Sequence, residues 1–284
     1  MTHTERRQRL RALLVGPVCL SPATVYDALS ARVAQSVGYE IGLLSGSVSG
    51  ATLLGAPDLA LHTLTEFAEQ VRSITRASTL SMVVDADHGY GNALNVMRTV
   101  QELEHAGVAA LMIEDLALPT RFGKSAPELV STEEMIGKLR AAVAAREDPS
   151  LFVMARTAAL KAEDAHSAAA RACAYAGTGV DAIYVTGLKR LEDFDTVRAA
   201  VTLPIVVGTA PALRREDLET RGVRLLLQGH QPVAAAVKAL HETYTHLYGG
   251  GTPSELGSRI ATSDEMARLV NAAGHEAWRK KYLS

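Results

Sequence analysis

Carboxylates gather in two short stretches of this chain, Asp85-Ala86-Asp87-His88 and Glu114-Asp115, each following an apolar run. Asp85 and Asp87 stand two apart, so on an extended segment their side chains share a face. Glu114 ends the next apolar run. Three carboxylates that close repel one another unless a cation or protons neutralise them. Oxygen donors with no cysteine or histidine among them select a hard ion, Mg²⁺ with Mn²⁺ as substitute, over zinc. The competing reading is that the acids cap helices or join structural ion pairs. His88 is placed beside the ligands or at the surface.

Two further groups stand at similar positions. Arg156 closes the run Leu151-Phe152-Val153-Met154-Ala155, and its planar fork suits a substrate carboxylate. A buried ion pair with Glu114 or Asp181 is the alternative use. His230 follows Leu225-Leu226-Leu227-Gln228-Gly229 and is a candidate proton donor or anion binder, against a ring satisfied by a backbone carbonyl. Asp58, behind Pro57, is a catalytic candidate or a cap of the following segment. Gly89-Tyr90-Gly91-Asn92 lacks the third glycine and acidic follow-up of a dinucleotide fingerprint, so no such cofactor is assigned.

The elements that must position these groups are eight short apolar runs: Val18–Leu20, Ile41–Leu44, Leu80–Val84, Ala109–Ile113, Leu151–Ala155, Ala182–Val185, Pro204–Val207 and Val223–Leu227. They lack clean alternation, as parallel strands covered on both faces do. Between them lie helical periodicities such as Leu94, Met97, Val100 and Leu103. Thr63-Leu64-Thr65-Glu66 and Ser131-Thr132-Glu133-Glu134 match the capping box, and Gly107 and Gly222 sit where helices end left-handed. Eight such units predict an α/β fold, a (β/α)₈ TIM-type barrel, with a doubly wound open sheet as rival. In a barrel the strand ends converge on one rim, bringing together Ser45-Gly46-Ser47, Asp85 to His88, Glu114-Asp115, Arg156-Thr157, Thr186-Gly187, Gly208-Thr209 and Gln228-Gly229-His230. The expected division is residues 1–248 as the barrel with its N-terminal helix. Residues 249–284 then form a glycine linker and C-terminal helices, near Ser263–Leu269 and His275–Tyr282, that pack locally or on a neighbouring subunit.

Composition narrows the classes. With 29 basic and 31 acidic residues the net charge is −2, which offers no basic face for nucleic acid. Cys19 and Cys173 stand alone, fitting a reducing compartment without a zinc or disulfide framework. The arginine-rich start, Arg6 to Arg11, is cut short by Gly16-Pro17 and reads as an amphipathic helix, not a signal peptide. No apolar segment is long enough to span a bilayer, and a soluble, cytoplasmic protein is expected.

Asp85-Ala86-Asp87-His88-Gly89-Tyr90-Gly91-Asn92, Ile113-Glu114-Asp115 and Ala155-Arg156-Thr157 together resemble the isocitrate lyase/phosphoenolpyruvate mutase superfamily, from about Leu10 to Leu283. Within it, Ser45-Gly46-Ser47-Val48, Ala56-Pro57-Asp58, His88 to Val96, Gln228-Gly229-His230 and Ala277-Trp278-Arg279-Lys280-Lys281-Tyr282-Leu283 are similar to the oxaloacetate decarboxylase branch. The resemblance implies a barrel whose terminal helix is exchanged between subunits, in a homotetrameric dimer of dimers. It implies that Asp85 binds Mg²⁺ directly, that Asp87 and Glu114 hold it through water, and that Ser47, Arg156 and His230 contact substrate. Two departures stand out. Pro119-Thr120-Arg121-Phe122-Gly123-Lys124-Ser125 lacks the cysteine and histidine of the superfamily's lyases, and Gly208-Thr209-Ala210-Pro211 lacks the tyrosine that some decarboxylases carry after strand seven.

The expected activity is Mg²⁺-dependent decarboxylation of oxaloacetate to pyruvate and CO₂ through a metal-stabilised enolate. Arg156 would clamp a carboxylate, Ser47 with nearby amides would hold the C1 end, and His230 would orient the C4 carboxylate and could later pass a proton. Another reaction on a 2-oxo or enol acid stays open, as phosphonopyruvate hydrolase, mutase or malate-type lyase. So does a non-catalytic barrel that senses a dicarboxylate.

Overall fold

The computed structural model describes residues 1–126 and 128–284. Helix α1 (His3–Val15) precedes eight strands: β1 (Ala23–Thr24), β2 (Ile41–Leu44), β3 (Ser81–Asp85), β4 (Ala110–Glu114), β5 (Phe152–Thr157), β6 (Ala182–Val185), β7 (Ile205–Val207) and β8 (Val223–Leu226). They pair in chain order, each parallel to the next. Leu20, just before β1, bridges in parallel to Leu225 of β8 and closes the ring. This is the expected α/β barrel, and the open-sheet alternative falls. The first strand is the exception to the sequence reading. It forms at Ala23–Thr24, and Val18–Leu20 contributes only the bridge at Leu20, because Pro22 separates the two. Proline lacks the amide that a continuous ladder would need.

Helices connect the strands: α2 (Ala28–Val37), the short α3 (Gly46–Ser49) running into a π-turn at Gly50–Leu54, α4 (Leu64–Ala77), α5 (Ala93–His105), α6 (Thr132–Ala145), α7 (Ala159–Ala162), α8 (Ala165–Ala176), α9 (Leu191–Ala200), α10 (Arg215–Thr220) and α11 (Gln231–Tyr248). A 3₁₀ segment, Pro253–Arg259, then leads to α12 (Ser263–Leu269) and α13 (Ala272–Tyr282). The capping box at Thr63 and Glu66 is complete. At Ser131 only half forms: the hydroxyl accepts from the Glu134 amide. Gly107 and Gly222 take the left-handed φ expected of them.

Two apolar clusters divide the core. One lies between strands and helices. The other fills the barrel interior with Ile41, Leu43, Val83, Ala110, Met112, Phe152, Met154, Tyr184 and Leu225, and is plugged from below by Leu10 and Leu14 of α1. Strand residues two apart share a face. Each interior row therefore continues upward into a polar group: Leu43 to Ser45, Val83 to Asp85, Met112 to Glu114, Met154 to Arg156. The alternation that packs the interior thus aims the reactive side chains into the barrel mouth.

Candidate active site

Ser47, Asp58, Asp85, Asp87, Glu114, Arg156 and His230 all line one cavity of about 370 Å³ at the carboxyl ends of the strands. Larger cavities lie elsewhere, but the carboxylates of Asp58, Asp85, Asp87 and Glu114 meet Arg156 and Lys161 in this one. It sits where barrel enzymes of this architecture place their chemistry.

The two aspartates reach it by different routes. Asp85 ends β3 and follows the strand alternation. Asp87 does not lie on an extended segment as expected. Its φ is 45°, inside a tight turn where Gly89 and Gly91 also have positive φ. The turn is pinned because the Glu114 amide donates to the Asp87 carbonyl at 2.8 Å. Gly46 makes room, since a Cβ there would lie 2.2 Å from Asp87 Oδ1. Ser47 stands on α3 rather than on a strand, within 3.0 Å of Ser45 Oγ. Asp58 is exposed on the rim, and the following helix α4 is capped by Thr63 instead.

Arg156 pairs with both Asp85 and Glu114, its Nη2 lying 3.0 Å from Glu114 Oε2. Its guanidinium carbon also lies 5.5 Å from the Tyr184 ring centre. The pairing with Glu114 was one sequence alternative. Asp181, the other, goes instead to Arg11 and Arg146 at 2.8 and 2.7 Å. Burial alone would lower the Arg156 pKa, but Asp85 and Glu114 outweigh it and the net direction is up. The guanidinium is permanently charged.

The acids respond the other way. Burial, then Asp85 and Glu114, push the Asp87 carboxyl well above the usual carboxylate range. Burial pushes Glu114 up to about 7 although Arg156 opposes it. Arg156 Nε is buried without a hydrogen-bond partner, and Glu114 Oε2 has only its ion pair with Arg156. Among the described residues no three acids, histidines or cysteines close on one point as metal ligands. Arg156 takes up part of that charge in their place. An oxygen-only donor set and a glycine cradle under Asp87 nonetheless fit a hard divalent ion.

His230 lies just past β8 at the start of α11 and caps nothing with its side chain. Nδ1 is 3.1 Å from Thr24 Oγ1 and Nε2 is 3.2 Å from Ser45 Oγ. Burial lowers its pKa, with Asp85 and Asp58 opposing, so the ring is neutral near pH 7.

Sequence reasoning missed three neighbours. His62 is buried, hydrogen-bonds the Tyr90 hydroxyl at 2.9 Å and lies 3.8 Å from Asp87 Oδ2. Lys161 of α7 also lines the cavity, its stem lying over Gly187, where a Cβ would meet Lys161 Cγ at 2.3 Å. Thr24 backs His230. Tyr90, within Gly89-Tyr90-Gly91, was the one visible signal. A four-residue helix and a two-residue strand carry no periodicity that could have marked Lys161 or Thr24.

The phosphoenolpyruvate phosphomutase family profile matches residues 10–248. The chain belongs to that family. Among relatives, an oxaloacetate decarboxylase of Bradyrhizobium sp. (strain BTAi1) is 49% identical over 285 residues, covering 100% of this chain and 99% of the relative. An oxaloacetate decarboxylase of Rhodopseudomonas palustris (strain BisA53) is 49% identical over 272 residues, 95% of this chain and 94% of that one. Among solved structures, a phosphoenolpyruvate phosphomutase from Streptomyces platensis superposes with a TM-score of 0.89 at 29% identity, covering 98% and 99% of the two chains. A phosphonopyruvate hydrolase in complex with oxalate and Mg²⁺ superposes with a TM-score of 0.88 at 28% identity over 100% of both. Both place this phosphomutase-family chain within the superfamily to which its motifs pointed.

Proposed function

We propose that the protein is a carbon–carbon lyase that decarboxylates oxaloacetate to pyruvate and CO₂ with a bound Mg²⁺ or Mn²⁺. The observation that carries this reading is the full-length identity of 49% to a protein named oxaloacetate decarboxylase. The cavity supports it with an acid cluster, a charged arginine and a neutral histidine. The solved structures of phosphonate-processing members stand at 28–29% identity, and decarboxylation is favoured over their reactions on that difference.

Asp85, Asp87 and Glu114 would hold the ion. When bound, Mg²⁺ supplies positive charge beside the 2-oxo group, where electron density builds up as CO₂ departs. The chain's own groups do the rest. Asp85 and Glu114 pair with Arg156; in holding an ion they would leave its fork to a substrate carboxylate. Arg156 Nε is already free of protein partners. Ser47 binds the opposite end of the substrate, and His230 faces the departing carboxylate. Lys161 supplies a second positive charge outside the Asp85–Arg156–Glu114 cluster, suited to the distal carboxylate of a diacid. The Pro119–Ser125 loop holds no thiol or imidazole, so C–C cleavage of a hydroxy-tricarboxylate lacks its acid.

Purified enzyme with Mg²⁺ should release pyruvate and CO₂ from oxaloacetate well above the spontaneous rate, with phosphonopyruvate and 2-methylisocitrate inert. Asp85→Ala or excess chelator should abolish turnover. Oxaloacetate decaying at its uncatalysed rate while another acid is consumed would refute the substrate and leave the family intact.

A further inference from the structure

Four hydrogen-bonding side chains form an unbroken line across the β8–β1–β2 side of the mouth: Thr24, His230, Ser45 and Ser47. Thr24 Oγ1 lies 2.9 Å from the Gly229 carbonyl and 3.1 Å from His230 Nδ1. A hydroxyl has one proton and a carbonyl can only accept. Thr24 therefore donates to Gly229, and Nδ1 must carry the proton that reaches Thr24 Oγ1. In a neutral ring that leaves Nε2 bare. Nε2 faces Ser45 Oγ at 3.2 Å, so Ser45 donates to it. Ser45 Oγ then accepts from the Val48 amide at 3.2 Å and from Ser47 at 3.0 Å. Every partner is satisfied in only one sense along the line. Thr24 is 5% exposed and borders the outer-wall cavity rather than the active-site one, so it lies behind the ring and cannot touch substrate.

We propose that Thr24 is a positioning residue that fixes His230 in the Nδ1–H tautomer. With the proton on Nδ1, Nε2 accepts from Ser45 and Ser45 accepts from Ser47, so both serine protons point toward the ring. The inference rests on the decarboxylase reading and adds what holds its serine–histidine line in one sense. When the C3–C4 bond breaks, its electron pair passes into the pyruvate enolate and CO₂ leaves, and C3 then takes up one proton from water. The overall change is oxaloacetate dianion plus one proton giving pyruvate anion plus CO₂. A ring held the other way round, with Nε2 protonated and Nδ1 bare, would face Thr24 with two lone pairs opposed and would break the line at its first bond.

The test is a long-range nitrogen–proton correlation spectrum of full-length enzyme labelled at histidine, with His230 assigned by its loss in His230→Gln. Wild-type enzyme should show His230 as the Nδ1–H tautomer, Thr24→Ser should keep it, and Thr24→Val should move the ring to the Nε2–H form or a mixture. In turnover, Thr24→Val should lower kcat about tenfold, roughly the effect of one hydrogen bond, with KM nearly unchanged; Thr24→Ser should restore kcat. An Nε2–H ring in wild-type enzyme overturns the proposal, as does Thr24→Val that keeps both tautomer and kcat. The wild-type spectrum needs neither a folded variant nor turnover. If oxaloacetate proves not to be the substrate, the spectrum still decides the tautomer, and the two failures stay separate.

Discussion

Glu114 is held protonated up to about pH 7 by burial, against 4.5 in an unfolded chain. The folded state thus binds this proton more tightly, and its stabilising effect is fully present below about pH 4.5 and lost as pH rises through 7. Chelated enzyme should melt at falling temperature between about pH 5 and pH 8, and Glu114→Gln should flatten that slope. Added Mg²⁺ should raise the melting temperature more at the upper end, where the carboxylates are ionised. A slope equally steep in Glu114→Gln would place its origin elsewhere. Lys161 carries a separate expectation. Removing its charge as Lys161→Met should raise KM for oxaloacetate about tenfold or more, the effect of one charge-assisted contact. Inhibition by oxalate, which has no distal carboxylate on a third or fourth carbon, should be unaltered. Site residues were legible wherever strand alternation applied, as for Asp85, Glu114 and Arg156. Asp87 was found by type while its backbone was misjudged, because a left-handed turn leaves no period to read.

At the scale of elements, the strands were legible because parallel barrel strands are near-continuous apolar runs. β1 was not, because its two residues carry no pattern and a proline precedes them. The start of the chain reads as an amphipathic helix, and α1 is a helix whose arginines act as hydrogen-bonding bolts across the lower end of the barrel. Arg7 donates to the carbonyls of Val108 and Glu104 at 3.0 and 2.7 Å and pairs with Asp148 at 2.7 Å and Glu104 at 3.4 Å. Arg6 reaches the Thr75 carbonyl, and Arg11 those of Ser150 and Leu151. Glu104 in turn accepts from the amides of Glu147 and Asp148. Both Arg7 and Glu104 side chains are only 5% exposed. Arg7→Met should therefore cost about 3–5 kcal/mol, the usual result of stranding a buried charge, measured by urea unfolding. Double replacement with Glu104→Gln should cost less than the sum of the two. Exact additivity would mean that the charges do not act as a unit.

At the scale of the molecule, an exposed apolar surface begins before the glycine linker. Helix α11 has no buried residue along its 18 positions, whereas the other long barrel helices each bury part of one face. Val237, Leu240, Tyr244 and Tyr248 are 61, 52, 64 and 97% exposed, and Trp278 and Tyr282 of α13 are open as well. An apolar cavity of about 910 Å³ lies against Leu29, Val33 and Val37 of α2, reaching to Leu213, Leu227 and Pro232. That is the wall where an eighth helix would pack on its own barrel. Apolar patches this long mark interaction sites in a soluble chain, and a reciprocal exchange between two identical chains satisfies both surfaces at once. We therefore propose a partner contact on α11 as well as on residues 249–284. Leu240→Glu with Tyr244→Glu should lower the mass measured by light scattering and leave the far-ultraviolet circular dichroism of the barrel intact, since neither side chain is packed within the protomer. Deletion after Gly251 should lower the mass less, because α11 would remain. An unchanged mass in the charged double variant would show that α11 is not an assembly surface, and the apolar wall would then need another occupant.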